Sequence, residues 1–134
     1  PSEIPFRKVV VNAASDVEAA HAADVDGDGK TDIVCGDTWY RAPDWSPRRF
    51  REIGVWGRGP GSSGYRADFA DLPLDVNGDR RVDIVSSDYA SGEIFWHENP
   101  GPASDALWRR HLIAKPGSAE TSVLAPIVGK KAVD

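Results

Sequence analysis

At 134 residues, with 40% of them hydrophobic and a formal net charge of −5, the chain has the size of one domain and enough apolar material for a core. That composition excludes gross disorder. The acidic balance argues against nucleic acid, whose phosphates require clustered Lys and Arg, and no run approaches the eighteen consecutive apolar residues of a membrane-spanning helix.

Taken in chain order, Phe6-Arg7-Lys8-Val9-Val10-Val11 is the first β-forming stretch, and Pro1 to Phe6 has no basic segment leading into an apolar run, so no signal peptide is expected there. Ala13 to Ala23 is the one segment with helix-tolerant composition. An acidic loop follows from Asp24 to Asp32 and opens into the strand-like Ile33-Val34. Thr38-Trp39-Tyr40-Arg41-Ala42-Pro43 reads as an aromatic strand stopped by proline. Phe50-Arg51-Glu52-Ile53-Gly54-Val55 reads as a further strand headed by an aromatic residue. Gly57 to Gly64 is Gly/Ser-rich and reads as an exposed connection.

The same order then returns. Asp24-Val-Asp-Gly-Asp-Gly-Lys-Thr-Asp-Ile-Val34 recurs as Asp75-Val-Asn-Gly-Asp-Arg-Arg-Val-Asp-Ile-Val85, an offset of 51 positions. One more step of 51 sets Gly129, Val133 and Asp134 on Gly78, Val82 and Asp83, with the acidic loop residues lost. The stretches headed by Phe6, Phe50 and Trp108 are spaced by 44 and 58, whose mean is again 51. The aromatic strand has its counterpart in Ile94-Phe95-Trp96-His97-Glu98-Asn99-Pro100. Four short strands in each repeat is the size of one propeller blade, which predicts an all-β fold of four-stranded antiparallel repeats of about 51 residues. Residues 1–134 then form one β-propeller fragment. Residues 1–12 end a preceding blade, 13–56 and 65–114 are two blades, and 120–134 begin a third. Since a closed ring takes about 4 to 8 blades, the ring is incomplete within these residues. An excerpt of a longer chain is the expectation, and self-assembly of copies the alternative.

The first loop offers carboxylates at Asp24, Asp26, Asp28 and Asp32 and the backbone carbonyl of Lys30. Two carboxylates about 4 Å apart repel by about 4 kcal/mol at an effective dielectric of 20, so a tight cluster calls for a cation. An all-oxygen donor set suits calcium, and the lack of His and Cys in the loop argues against zinc. The spacing begins like an EF-hand, but position 12 is Cys35 or Ser86 and the flanks read as strands, so that arrangement is disfavoured. The second loop keeps Asp75, Asp79 and Asp83, with Asn77 in place of a carboxylate and Arg81 offering the carbonyl. Arg80 stands where the first loop has Gly29, a poor substitution if the backbone there needs positive φ.

These two loops, with Trp96-His-Glu-Asn-Pro-Gly101 and Trp108-Arg-Arg-His-Leu-Ile113, resemble the FG-GAP/VCBS repeats that form integrin-type propellers and propellers of bacterial secreted proteins. The resemblance implies structural calcium in hairpins between blade strands, away from the ligand face. It implies an extracellular or periplasmic protein, a non-enzymatic module that binds a protein or a glycan. The alternative is the propeller domain of a carbohydrate-active enzyme, a lyase or dehydratase, with its catalytic groups in the central funnel or in another domain. Arg80 and the acid-poor third copy depart from the pattern of the family.

Elsewhere the signals are weaker. Asp37 and Asp88 recur five positions after each loop and suit turn-capping carboxylates or acceptors for a ligand. Glu18, His21, Asp37, Tyr65 and Arg66 could supply an acid, a base and a stabiliser, but their spacing does not demand it. Trp39, Trp96 and Trp108 sit at repeated positions and are expected in the core, whereas Trp45 and Trp56 are the better candidates for exposure. Cys35 is the one cysteine, so no internal disulfide forms, and it reads as a small buried thiol in a strand.

Overall fold

The computed structural model describes residues 4–57 and 64–125. Over these the chain is all-β, with no helix. The first sheet is β1 (Ala20–Ala23), β2 (Asp32–Cys35), β3 (Thr38–Arg41) and β4 (Ser46–Arg49), hydrogen-bonded in that order and antiparallel throughout. A hairpin of β5 (Val55–Trp56) and β6 (Tyr65–Arg66) follows. The second sheet, β7 (Ala70–Leu74), β8 (Asp83–Asp88), β9 (Glu93–Glu98) and β10 (Arg109–Ala114), repeats the antiparallel meander. No ring is closed among the described residues, and the third copy of the repeat over 126–134 lies outside them. Nor is any described helix long and apolar enough to cross a membrane.

Local chemistry accounts for the elements. Ile33-Val34 and Ile84-Val85 supply β-branched residues to the second strand of each sheet, and Val34 and Ile84 are wholly buried. β2 and β3 are joined through Gly36 and Asp37, with Cys35 paired to Thr38. Gly36 has φ 66°, as tight hairpin turns require, and a Cβ there would fall 2.9 Å from a methyl of Val17. The matching hairpin is longer: β8 and β9 each gain two residues and the turn becomes Tyr89–Gly92. This is why Trp96 lies 57 positions after Trp39 while the loops are 51 apart. Pro47 and Pro73 sit in β4 and β7, both edge strands, where a missing N–H is tolerated.

Three expectations change. The Ala-rich segment holds strand β1 and no helix. The stretch Phe6–Val11 forms no strand, and Phe6 is 92% exposed. The fourth strand of the first sheet precedes Phe50, whereas that of the second follows Trp108. In the first sheet the chain reverses at once, with the Trp45 N–H donating to the Arg41 carbonyl at 2.7 Å, so Ser46 to Arg49 already pairs with β3. Phe50 and Arg51 are thereby released into the space between the sheets, where both are buried.

The core straddles the two sheets, built from Val25, Val34, Trp39, Phe50, Ile84 and Trp108. The rings of Phe50 and Trp108 lie 4.8 Å apart, and the Trp108 N–H donates to the Phe50 carbonyl at 2.7 Å. Beside this seam the buried Arg51 guanidinium donates to the Gly36 carbonyl (2.7 Å), Ser86 Oγ (2.5 Å), Asp68 Oδ1 (2.7 Å) and Asp71 Oδ1 (2.6 Å). One cation thus faces two fully buried carboxylates, each with a second oxygen that has no partner. Burial lifts the Asp68 carboxyl to about 7, against the pull of Arg51 and with Asp71 adding to the rise, and burial raises Asp71 as well.

Candidate metal centre

The loop from Asp24 to Thr31 joins β1 to β2, and that from Asp75 to Val82 joins β7 to β8, so each stands at the equivalent end of its own sheet. In the first, the Asp24 carboxylate accepts the N–H groups of Asp28 (3.0 Å) and Gly29 (2.9 Å). Asp26 accepts the Asp28 N–H at 3.2 Å, and Asp28 that of Lys30 at 2.9 Å. These side chain to backbone turns wind the chain around its own carboxylates. Gly27 and Gly29 take φ of 75° and 82°, the left-handed conformation that the winding needs. As a result one oxygen from each of Asp24, Asp26 and Asp28 lies within 4.8 Å of the others, a group that could hold a metal ion.

Asp32 plays a separate part. It is wholly buried, and its two oxygens accept the N–H groups of Val25 (3.0 Å) and Ala42 (2.8 Å), tying the root of the loop to the end of β3. Burial pushes its carboxyl up, and the two backbone donors oppose the rise. Asp83 does the same in the second sheet, accepting from Val76 (3.0 Å) and Asn99 (2.8 Å). Each oxygen keeps a second lone pair.

The second loop repeats the winding bond for bond. Asp75 accepts from Asp79 (3.1 Å) and Arg80 (2.9 Å), Asn77 from Asp79 (3.0 Å), and Asp79 from Arg81 (2.9 Å). Arg80 stands at φ 70°, the conformation Gly29 supplies in the first loop. No group of three His, Cys, Asp or Glu side chains gathers there among the described residues, and Asn77 stands in place of a carboxylate and donates its amide to Asp79 at 3.0 Å. Arg81 forms an ion pair with Asp79 and donates to the Asn99 carbonyl at 2.8 Å.

Arg41 is a residue that sequence reasoning passed over. From the end of β3 its guanidinium reaches both Asp26 and Asp28, the latter at 3.0 Å, and the Lys30 ammonium also meets Asp28 at 2.9 Å. The Lys30 contact holds the Asp28 carboxyl below the usual range. Two basic side chains thus sit on the outer rim of the three-carboxylate group, where a metal ion would compete with them. The signal was a basic residue just before a strand-ending Pro, but its partner in the other sheet is Glu98, so the repeat gave no warning. Arg51, Asp68 and Asp71 were also missed, since charged residues this deep are rare.

The other candidates fall as follows. Asp88 accepts the Ala90 N–H (2.8 Å) and caps its turn, whereas Asp37 accepts the Thr38 hydroxyl (2.7 Å) and pairs with Arg49 at 3.4 Å. Glu18 and Tyr65 line one cavity, but His21 is exposed on β1 and Arg66 pairs with Asp16 at 2.9 Å, so the five residues do not form one site. Trp39 and Trp108 are buried, whereas Trp96 is half-buried and stacks on His111 at 4.4 Å. Burial raises the Cys35 thiol, which meets Ser15 at 3.5 Å. The flanks of both loops are strands, so the helix-flanked EF-hand arrangement is not built here. No family model matches the chain, and no curated protein or solved structure matches it either.

Proposed function

We propose that this chain is part of a calcium-binding β-propeller of the FG-GAP/VCBS type, each four-stranded sheet a blade and each Asp loop a calcium hairpin. The observation that carries this reading is the register of the two loops: the same side chain to backbone bonds recur at an offset of 51 residues, in the same connection of two matching meanders. Calcium fits the first loop because its donors are all hard oxygens in an irregular, open arrangement, which a larger cation tolerates. Asp24, Asp26, Asp28 and Asp32 with the Lys30 carbonyl would hold the first ion, and Asp75, Asn77, Asp79 and Asp83 with the Arg81 carbonyl a weaker second. The ion would fix the hairpin and take no part in chemistry.

The blades would act as a non-enzymatic scaffold that presents a surface to a protein or a glycan. Exposed apolar residues of the outer strand, Leu112 and Ile113, suit the cover of a neighbouring blade, from a longer chain or from another copy. Open loops of this kind suit the millimolar calcium outside cells, which supports an extracellular or periplasmic setting. Calcium titration by calorimetry tests the metal assignment. Saturable heat is expected, cut in Asp24→Ala to the weaker signal of the second loop, and no heat at millimolar calcium would end the reading.

A further inference from the structure

Away from the Asp loops, a cavity of about 450 Å³ is lined by Glu18, Trp56, Tyr65, Phe69, Tyr89 and Glu120. Its place follows from the topology. Each Asp loop enters the second strand of its sheet, whereas Tyr89 lies in the β8–β9 turn at the far end of β8. The cavity is therefore at the opposite end of the second sheet from its Asp loop.

Its wall is an aromatic stack centred on Trp56. The Trp56 ring stacks with Tyr65 (centroids 5.6 Å apart, planes at 29°) and with Tyr89 (5.3 Å, 20°), and Phe69 lies beside both Trp56 and Tyr89 at 40°. Trp56 is thus stacked by both tyrosines in an offset pile, and Tyr65, 53% exposed, is the one exposed ring of the four. A single exposed aromatic ring, held in place by the stack behind it, suits the apolar C–H face of a pyranose. The charged members of the lining are two carboxylates, and no basic residue joins them. Arg66, next in sequence to Tyr65, is engaged by Asp16. An acidic sugar would be repelled. A sugar carrying an ammonium group would gain both from the carboxylates and from the negative ring faces.

We propose that this cavity binds a hexosamine with a free amino group. The pyranose face rests on the exposed Tyr65 ring, which the Trp56 stack holds in place, and Glu18 and Glu120 accept hydrogen bonds from the ammonium and a neighbouring hydroxyl. The inference deepens the glycan-binding reading above and rests on it.

The test compares glucosamine, N-acetylglucosamine and glucose by ligand-observed NMR and calorimetry on the whole chain, at about pH 6, below the pKa of an amine. Glucosamine should bind at least about tenfold more tightly than the two neutral sugars, with upfield shifts of its ring protons from stacking. Glu18→Gln combined with Glu120→Gln, both exposed positions, should erase that preference. Tyr65→Ala should weaken all sugars and abolish the upfield shifts. Equal binding of the three sugars would overturn the ammonium site while leaving glycan binding in place. No binding of any sugar would overturn the site altogether. Calcium titration of the same sample reports on the metal reading independently of either result.

Discussion

The two Asp loops share one winding and differ in charge. Both wrap the backbone around the carboxylate at their first position, and both are rooted by a buried aspartate, Asp32 or Asp83. Only the first gathers three carboxylates, and it covers them with Arg41 and Lys30. The second substitutes an amide and carries an arginine in a left-handed conformation. Winding is thus set by backbone hydrogen bonds that Asp and Asn supply equally well, whereas cation capacity depends on which of them carries charge. A loop can keep its shape after losing most of its attraction for an ion.

The largest expected effect falls where the loops are alike. Asp32→Ala strands two buried N–H groups and Asp83→Ala one buried and one partly buried, a loss of about 2–4 kcal/mol each. Chemical denaturation should find both variants destabilised to a similar degree, and a mild effect in one alone would break the equivalence of the roots. Calcium comes next and separates the loops. At about a hundred times its Kd it should raise the melting temperature by several degrees, and EDTA should reverse the rise. Asp28→Ala should remove more of this rise than Asp79→Ala, and the reverse order would contradict the ranking.

A pH series then sets both loops against the buried pair between the sheets. The folded Asp68 carboxyl titrates at about 7, well above an unfolded aspartate. Between about pH 4 and 7 the folded chain keeps a proton that the unfolded chain releases, so its contribution to stability falls as pH rises across that window. Buried His97, pushed down to about 3, gives the opposite slope below about pH 6.5, so the Asp68 contribution is the difference from Asp68→Asn: in EDTA the melting temperature relative to that variant should fall from pH 5 to pH 8. A difference that does not change with pH would refute the raised Asp68 carboxyl. The smallest effect is Arg80→Gly, which relieves the left-handed backbone and should add about 1 kcal/mol of stability. Gly29→Ala should lose a comparable amount, and denaturation midpoints of the two variants should move in opposite directions.

Much of this was legible in the residues. The Asp loops and the Ile-Val strands fall where the period of 51 set them, and the aromatic strands, 57 apart, where their matching residues did. The fourth strand was misplaced in the first copy. Ser46-Pro47-Arg48-Arg49 has a poor strand composition and pairs only because the chain reverses beside β3. At the site, the clustering of Asp24, Asp26 and Asp28 was readable, since loop spacing alone brings them together. The backbone partners of Asp32 and the approach of Arg41 were not. Ala42 and Arg41 lie ten and more positions away, and only the β2–β3 register carries them back to the loop. The charges around Arg51 were hidden for a similar reason: its partners come from two strands of the other sheet, a β-turn and a connection.

Asn99 carries one more consequence. Its side-chain amide donates to the Val25 carbonyl in the first loop (2.9 Å) and to the Val82 carbonyl in the second (3.0 Å), while its own N–H is held by Asp83. A single residue is therefore riveted to the base of both hairpins. Fraying of either one strains the same small amide, so the two ends of the repeat open together and a local loosening is shared across neighbouring sheets.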